Sequence, residues 1–300
     1  MEAYLGRTHD SIGAIVHDRL EESLAAPGID PSELCAVVKG SHPLSGIIHG
    51  DLDVDRMDYL LRDAYYTGAP YGTVDAQRLI RHLVRTDDGT VLDENGINAA
   101  ESLLIARTLM RPSVYYHHVS RIGESMFQLA AIEHLQAHGA GSAEAFLDLD
   151  DAGALQTLAS SQSEVARGIA RRLYERRLYK RAIYAGCDQV NMASWEGGVP
   201  IGTLRRYAER IAEAAGIPPG DVLVDIPSMP GELSLGVRVL NRHEIVGLGE
   251  ISSRIGTLNE TRREQWRLGV YTLPEHREIV AEAGSNILNI KKPTRQDTLF

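Results

Sequence analysis

Residues 47–68, IIHGDLDVDRMDYLLRDAYYTG, decide how the rest of the sequence is read. Met57, Leu60, Leu61 and Ala64 fall at i, i+3, i+4 and i+7, the spacing of a helix that turns an apolar stripe toward a core. The other face carries Asp55, Tyr59, Arg62, Asp63 and Tyr66, again three or four apart, so carboxylates, a guanidinium and phenols share one side. Asp51, Asp53 and Asp55 crowd the entry. Asp51 or Asp53 can accept from the first free N–H groups, and one cap is enough. Asp55 is then either a first-turn acid favoured by the helix dipole or a metal or catalytic carboxylate. Gly68 closes the helix.

The chain around this helix has 300 residues and is 43% hydrophobic, which suffices for one large or two modest domains. With 41 acidic against 31 basic residues the net charge is −10, which argues against broad capture of nucleic acid or of an anionic membrane. Any phosphate site must be a local cluster of cations. The apolar runs fall short of a membrane span and Met1-Glu2 opens a polar helix rather than a leader, so the expectation is a cytoplasmic protein. Cys35 and Cys187 stand alone and read as structural thiols.

Upstream, residues 2–25 have the periodicity of an amphipathic helix that carries His9 and His17. Asp30-Pro31-Ser32-Glu33 is a capping box with proline at the first helical position, predicting a short helix through Val38 that ends at Gly40. Downstream, Thr73 or Asp75 starts a helix to about Leu83, and 84–86 with 90–92 form a hairpin around an Asp-Gly turn. Asn98 to Glu101 is a second capping box, opening a helix to about His138 with a bend near Pro112. Along it Arg107, Arg111, Tyr115 and His118 recur every three or four residues, as a solvated stripe or as a ligand-facing one.

Helices are expected to continue to about Ala185, and 165–181 hold the one dense basic cluster, including Arg176 and Lys180. The glycines at 197 and 198 are the best candidate boundary. It divides a helical body, 1–196, from an α+β appendage, 197–300, with a helix over 203–215, strands at 222–226, 236–240 and 244–246, a helix around 260–266 and a last one over 274–287. The expected fold is mostly α with a small C-terminal α+β appendage.

The string DVDRMDYLLRD, with the aromatic pair and Thr-Gly that follow, resembles the last signature of HD-domain phosphohydrolases of the deoxynucleoside triphosphate triphosphohydrolase group. The resemblance is fair again at 107–118 and weaker elsewhere. It implies a helical HD-type bundle in which Asp55 is a metal ligand, Arg56 a cation facing phosphate, Tyr59 a wall of the nucleotide pocket and Asp63 an acceptor for the sugar 3′-hydroxyl. Tyr65 and Tyr66 stand where family members often have His-His. Thr8-His9-Asp10 is similar to the family's Thr-His-Glu, which puts His9 against the phosphates. Arg107 matches a phosphate-binding arginine, and Tyr115 a tyrosine that packs on deoxyribose and excludes a 2′-hydroxyl. Arg176 and Lys180 match positions that grip an allosteric nucleotide at a subunit junction.

The function so implied is metal-dependent cleavage of deoxynucleoside triphosphates to deoxynucleoside and tripolyphosphate. The implied cofactor is a divalent metal (Mg, Mn, Fe or Zn) and the implied assembly a homo-oligomer, dimer or tetramer. The family's first histidine and its paired His-Asp find no match in the eight residues ahead of His9. One carboxylate cannot hold such a metal, which takes four to six donors. The alternative expectation is therefore a catalytically silent nucleotide-binding or regulatory homologue, or a split subunit completed by another chain.

Overall fold

The computed structural model describes residues 20, 22–25, 27–86, 89–139, 141–195, 198–233 and 236–291. His9 and most of the helix expected over 2–25 lie outside them. The fold is mostly helical, with two small sheets.

Helix α1, Pro31–Val38, opens where the sequence predicts, with Asp30 accepting from the Ser32 N–H. Helix α2, Val54–Thr67, is capped by Asp53 and ends on Gly68 at φ 71°, a left-handed position that glycine takes without strain. Met57 and Leu60 are buried, but Leu61 is 40% exposed. The buried stripe is thus narrower than the spacing suggests. Gly72 folds the chain back against α2: a Cβ there would sit 2.6 Å from that of Ala64. After α3, Ala76–Arg81, strands β1, Leu83–Thr86, and β2, Gly89–Asp93, form the expected hairpin.

Helix α4, Ile97–Met110, starts one residue before the expected cap, behind a 3-10 turn over Glu94–Gly96. Glu101 does no capping. Its buried carboxylate accepts from Ser252 Oγ at 2.6 Å and Arg254 Nη1 at 2.5 Å, far along the chain. A π-turn over Arg111–Tyr115 carrying Pro112 breaks the expected long helix, and the chain resumes as α5, His118–His138.

Helices α6, Gly141–Leu147, α7, Asp151–Ala159, and α8, Glu164–Tyr174, follow. The helix expected to run to about Ala185 stops at Tyr174, and Lys180–Gly186 is strand β3. Then come α9, Ile201–Ala215, β4, Val222–Asp225, β5, Arg238–Asn241, and β6, Glu244–Gly247. A four-residue helix α10, Leu248–Ile251, leads to α11, Ser253–Glu264, β7, Arg267–Thr272, and α12, Arg277–Ile287.

The strands sort into β1-β2-β5-β6 and β3-β7-β4. In the first sheet β5 runs parallel to β2, Leu92 opposite Val239. In the second, β7 is central and antiparallel to both neighbours. Three apolar clusters follow this sorting. Met57, Leu60, Leu79, Leu103, Leu104 and Met110 pack with Val239, Leu248 and Ile255. Ile122, Met126, Leu158 and Ile169 pack with Leu223 and Tyr271. Ile183, Ile211, Val224, Trp266, Val270 and Val280 make the third. A cut at 197 would part β3 from β7 and take β5, β6 and α11 from the core they share with α4. The chain crosses between the core around α4 and the cores around β7 three times, after α4, after β4 and after α11.

Candidate functional site

The head of α2 is built around Asp53, 4% exposed. Its carboxylate accepts from Arg56 N at 2.7 Å and Gly50 N at 3.0 Å, and from Arg56 Nη1 at 2.7 Å. The loop before the helix is thereby fixed, and Arg56 is aimed along the first turn. Asp51, one residue outside this arrangement, takes Arg107 Nη1 of α4 at 3.4 Å. His49 reaches the Val38 carbonyl of α1.

These groups face a cleft of about 680 Å³, lined by Asp51, Asp55, Arg56, Tyr59 and Arg107 among others. Asp55 is exposed at its rim, with no hydrogen-bond or ion-pair partner among the described residues. Four of the residues singled out by the sequence, Asp55, Arg56, Tyr59 and Arg107, thus come together. Tyr59 carries the arrangement onward. Its ring meets that of Tyr115 edge to face, centroids 5.7 Å apart, and Tyr115 donates its hydroxyl to Asp63 Oδ2 at 2.8 Å. Burial, then the Asp63 carboxylate, holds the Tyr115 phenol far above its ordinary range. Tyr115 therefore stays a donor, leaving the other Asp63 oxygen to accept from elsewhere.

The rest of the polar face of α2 is not in the cleft. Arg62 pairs with Asp58 in solvent at 2.6 Å, and Tyr66 is 79% exposed. Nor do Arg176 and Lys180 share a helical face: Arg176 sits in the turn after α8 at φ 54°, Lys180 opens β3, and both are exposed. The expected stripe on α4 is broken by the π-turn. Arg107 stays beside the cleft, while His118 lies under the influence of Arg181 and Lys180, which with burial lower its pKa.

Two arginines not assigned from the sequence lie close by. Arg111 stacks on Tyr116, its Cζ 3.6 Å from the ring centroid, with Nε and Nη2 buried and without a hydrogen-bond partner among the described residues. Arg262 of α11 is 5% exposed and donates to the Gly231 carbonyl at 2.8 Å. Burial, then repulsion from Arg107 and Arg111, lowers its pKa to about 10. In sequence, Arg111 shows as the i+4 neighbour of Arg107, but no local signal marks Arg262.

Among the described residues no group of three or more His, Cys, Asp or Glu side chains could hold a metal ion. Asp53 has both oxygens engaged as above, and Asp51 meets Arg107 through one oxygen and the Gly236 N–H at 3.5 Å through the other, so this donor set does not fit a resident divalent metal. A second cavity, about 440 Å³, lies between α5, α8, α9 and β4. It is lined by apolar side chains such as Leu129, Val165 and Leu204, and its Glu133 and Arg205 pair with each other at 2.6 Å. No helix among the described residues is long and apolar enough to cross a membrane.

Comparison with known proteins adds a family. The HD associated region matches residues 74–299. The uncharacterized protein MJ1154 of Methanocaldococcus jannaschii is 30% identical over 258 residues, 81% of this chain and 54% of its own. The uncharacterized protein YwfO of Bacillus subtilis is 36% identical over 118 residues, 39% of this chain and 27% of its own. The chain thus spans about half, or less, of these relatives' lengths. Among solved structures, a hypothetical protein from Aquifex aeolicus superposes with a TM-score of 0.66 at 24% identity, covering 90% of this chain and 70% of that one. A phosphohydrolase from Bacteroides thetaiotaomicron gives 0.63 at 20% identity, covering 90% and 74%. At these identities the likeness is one of fold.

Proposed function

The chain belongs to the HD associated region family, and on that footing we propose that its cleft is the nucleotide-holding part of an HD-superfamily phosphohydrolase acting on deoxynucleoside triphosphates. The observation that carries this reading is the convergence of Asp55, Arg56, Tyr59 and Arg107 on one cleft, with the Tyr115–Asp63 pair against Tyr59. Cations in the cleft suit phosphate oxygens, and an acceptor beside a ring, reached past Tyr59, suits a sugar with one hydroxyl fewer than ribose. Arg107 and Arg56 would bind phosphate, Asp63 the 3′-hydroxyl, and Tyr115 would fill the room of a 2′-hydroxyl.

Because the described residues do not fit a resident metal, their assigned work is binding and orientation, and no bond-breaking step is routed through them. Asp55 is the carboxylate left open at the rim, and it is the group we assign to a divalent ion held jointly with donors from elsewhere.

Calorimetry on the purified chain tests the reading. dGTP should bind, GTP should bind more weakly, and Arg107→Ala should cost about tenfold in affinity, the worth of one charge-assisted hydrogen bond. Equal affinity for dGTP and GTP would remove the sugar assignment, and absence of binding to either would remove the nucleotide.

A further inference from the structure

The cavity between α5, α8, α9 and β4 shares no lining residue with the cleft at α2. Its volume of about 440 Å³ falls among small-molecule pockets, which run from about 300 to 1,000 Å³ and combine apolar walls with a few polar groups. Leu129 and Ile132 of α5, Val165 and Ile169 of α8, and Leu204 of α9 supply the apolar walls. Some of its charges are satisfied within the chain: Glu133 pairs with Arg205, and Asp225 is held by Arg121 and Tyr271. Others are not. The side chains of Arg172 and Asp221, both half-buried, have no hydrogen-bond or ion-pair partner among the described residues, and Glu209 is exposed at the rim.

Arg172 lies on the inner stripe of α8, where Val165, Gly168, Ile169 and Arg172 recur at i, i+3, i+4 and i+7. Asp221 stands one residue ahead of β4. The two charges bear on the same phenol, that of Tyr179, yet they do not pair with each other. Opposite charges left apart in one pocket fit a ligand that carries both. Gly168 is an independent observation. Inside a helix only proline is less favourable than glycine, and a Cβ built at 168 would meet no neighbouring atom of the described residues within 4 Å. Packing within the described chain does not call for this glycine. It leaves the wall bare where a ligand would lie.

We propose that this cavity binds a free α-amino acid with a large apolar side chain, its carboxylate on Arg172, its ammonium on Asp221 and its side chain along Gly168, Ile169 and Leu204. The assignment does not rest on the nucleotide reading. A simple carboxylate would leave Asp221 unanswered, a simple amine would leave Arg172 so, and a nucleotide would bring phosphates against the carboxylates of Asp221 and Glu209.

The test is calorimetry on the full chain with L-phenylalanine, its amide and 3-phenylpropanoate, with thermal melts alongside. Phenylalanine should bind and raise the Tm. The amide, which lacks the carboxylate, and 3-phenylpropanoate, which lacks the ammonium, should each bind about tenfold or more weakly, the worth of a charge-assisted contact. Arg172→Gln should weaken phenylalanine by a similar factor without weakening the amide, and Asp221→Asn should do so without weakening 3-phenylpropanoate. Gly168→Ala should raise the Tm of the ligand-free protein by about 2 °C and weaken phenylalanine, because its methyl group enters the cavity. Equal losses for all three ligands in Arg172→Gln would make Arg172 structural and overturn the assignment. 3-Phenylpropanoate bound as tightly as phenylalanine would overturn the amino acid in favour of a simple carboxylate. Absence of binding by phenylalanine, leucine and tryptophan alike overturns the site.

Discussion

Asp53 serves three donors at once, the amides of Gly50 and Arg56 and the Arg56 guanidinium. Replacing it should therefore cost more than an ordinary cap. Asp53→Ala is expected to lower stability by about 2–3 kcal/mol, a cap of about 1 kcal/mol plus a buried ion-pair partner left alone, as read by urea unfolding. Asp53→Asn, which keeps an acceptor at the cap, should cost less. His134 provides a pH-dependent counterpart. It is buried, shares a hydrogen bond of 3.0 Å with Ser161, and stacks on His138 at 4.2 Å. Burial first, and then the charge of His138, lower its pKa below the ordinary 6.5. The unfolded chain takes up this proton first, so the contribution is complete above about pH 6.5 and is lost as the pH falls toward the lower folded-state value. Thermal melts between pH 7.5 and 5.5, treated as an approximate titration window, should show a falling Tm that His134→Gln partly flattens.

Among the elements, those legible in the sequence are the ones whose ends are written in local chemistry. Asp30-Pro31 and Asp53 open α1 and α2, Gly68 closes α2, and Asp75 caps α3. β3 and β7 carry no such punctuation. The chain leaves α8 through Arg176 in a left-handed conformation that arginine does not advertise, so the basic run reads as unbroken helix. β7, RLGVYT, has no turn residues ahead of it and is a strand because β3 and β4 flank it. The site divides the same way. Asp55 and Tyr59 are legible from the spacing on α2 and Arg107 from the stripe on its own helix, while Arg56 is marked only by the family resemblance; Arg262 and the engagement of Glu101 depend on where α11 lands. That landing is testable: Glu101→Ala and Ser252→Ala, combined in a double-mutant cycle, should show a coupling of about 1–2 kcal/mol, since the two groups share one hydrogen bond of 2.6 Å. Additivity would mean that α11 does not dock on α4 in solution.

Across the whole molecule, Arg121 fastens α5 to the sheet of β3, β7 and β4: it donates through Nε to Asp225 of β4 at 2.9 Å and through Nη2 to its other oxygen. Tyr271 donates to the same carboxylate at 3.2 Å. Against burial, which would lower it, this carboxylate holds Arg121 above the ordinary guanidinium range. Asp225→Asn should cost about 3 kcal/mol, since it leaves the buried Arg121 with only the half-exposed Glu124 as a carboxylate partner. Both tryptophans, Trp195 and Trp266, sit in the cluster around β3 and β7. Because the chain crosses between the halves three times, tryptophan fluorescence and the far-ultraviolet dichroism should lose structure in one coincident transition with urea. Two separate transitions would show the halves to be independent. The parallel pairing of β2 with β5 sets the timetable of synthesis. While the ribosome is still making the middle of the chain, the hairpin of β1 and β2 has emerged with one ladder of amides and carbonyls unanswered, and it stays so until Val239 and Leu240 leave the exit tunnel. For that interval the nascent protein is open to strand exchange with its neighbours, and its yield in cells should depend on chaperones more than its folded stability alone would suggest.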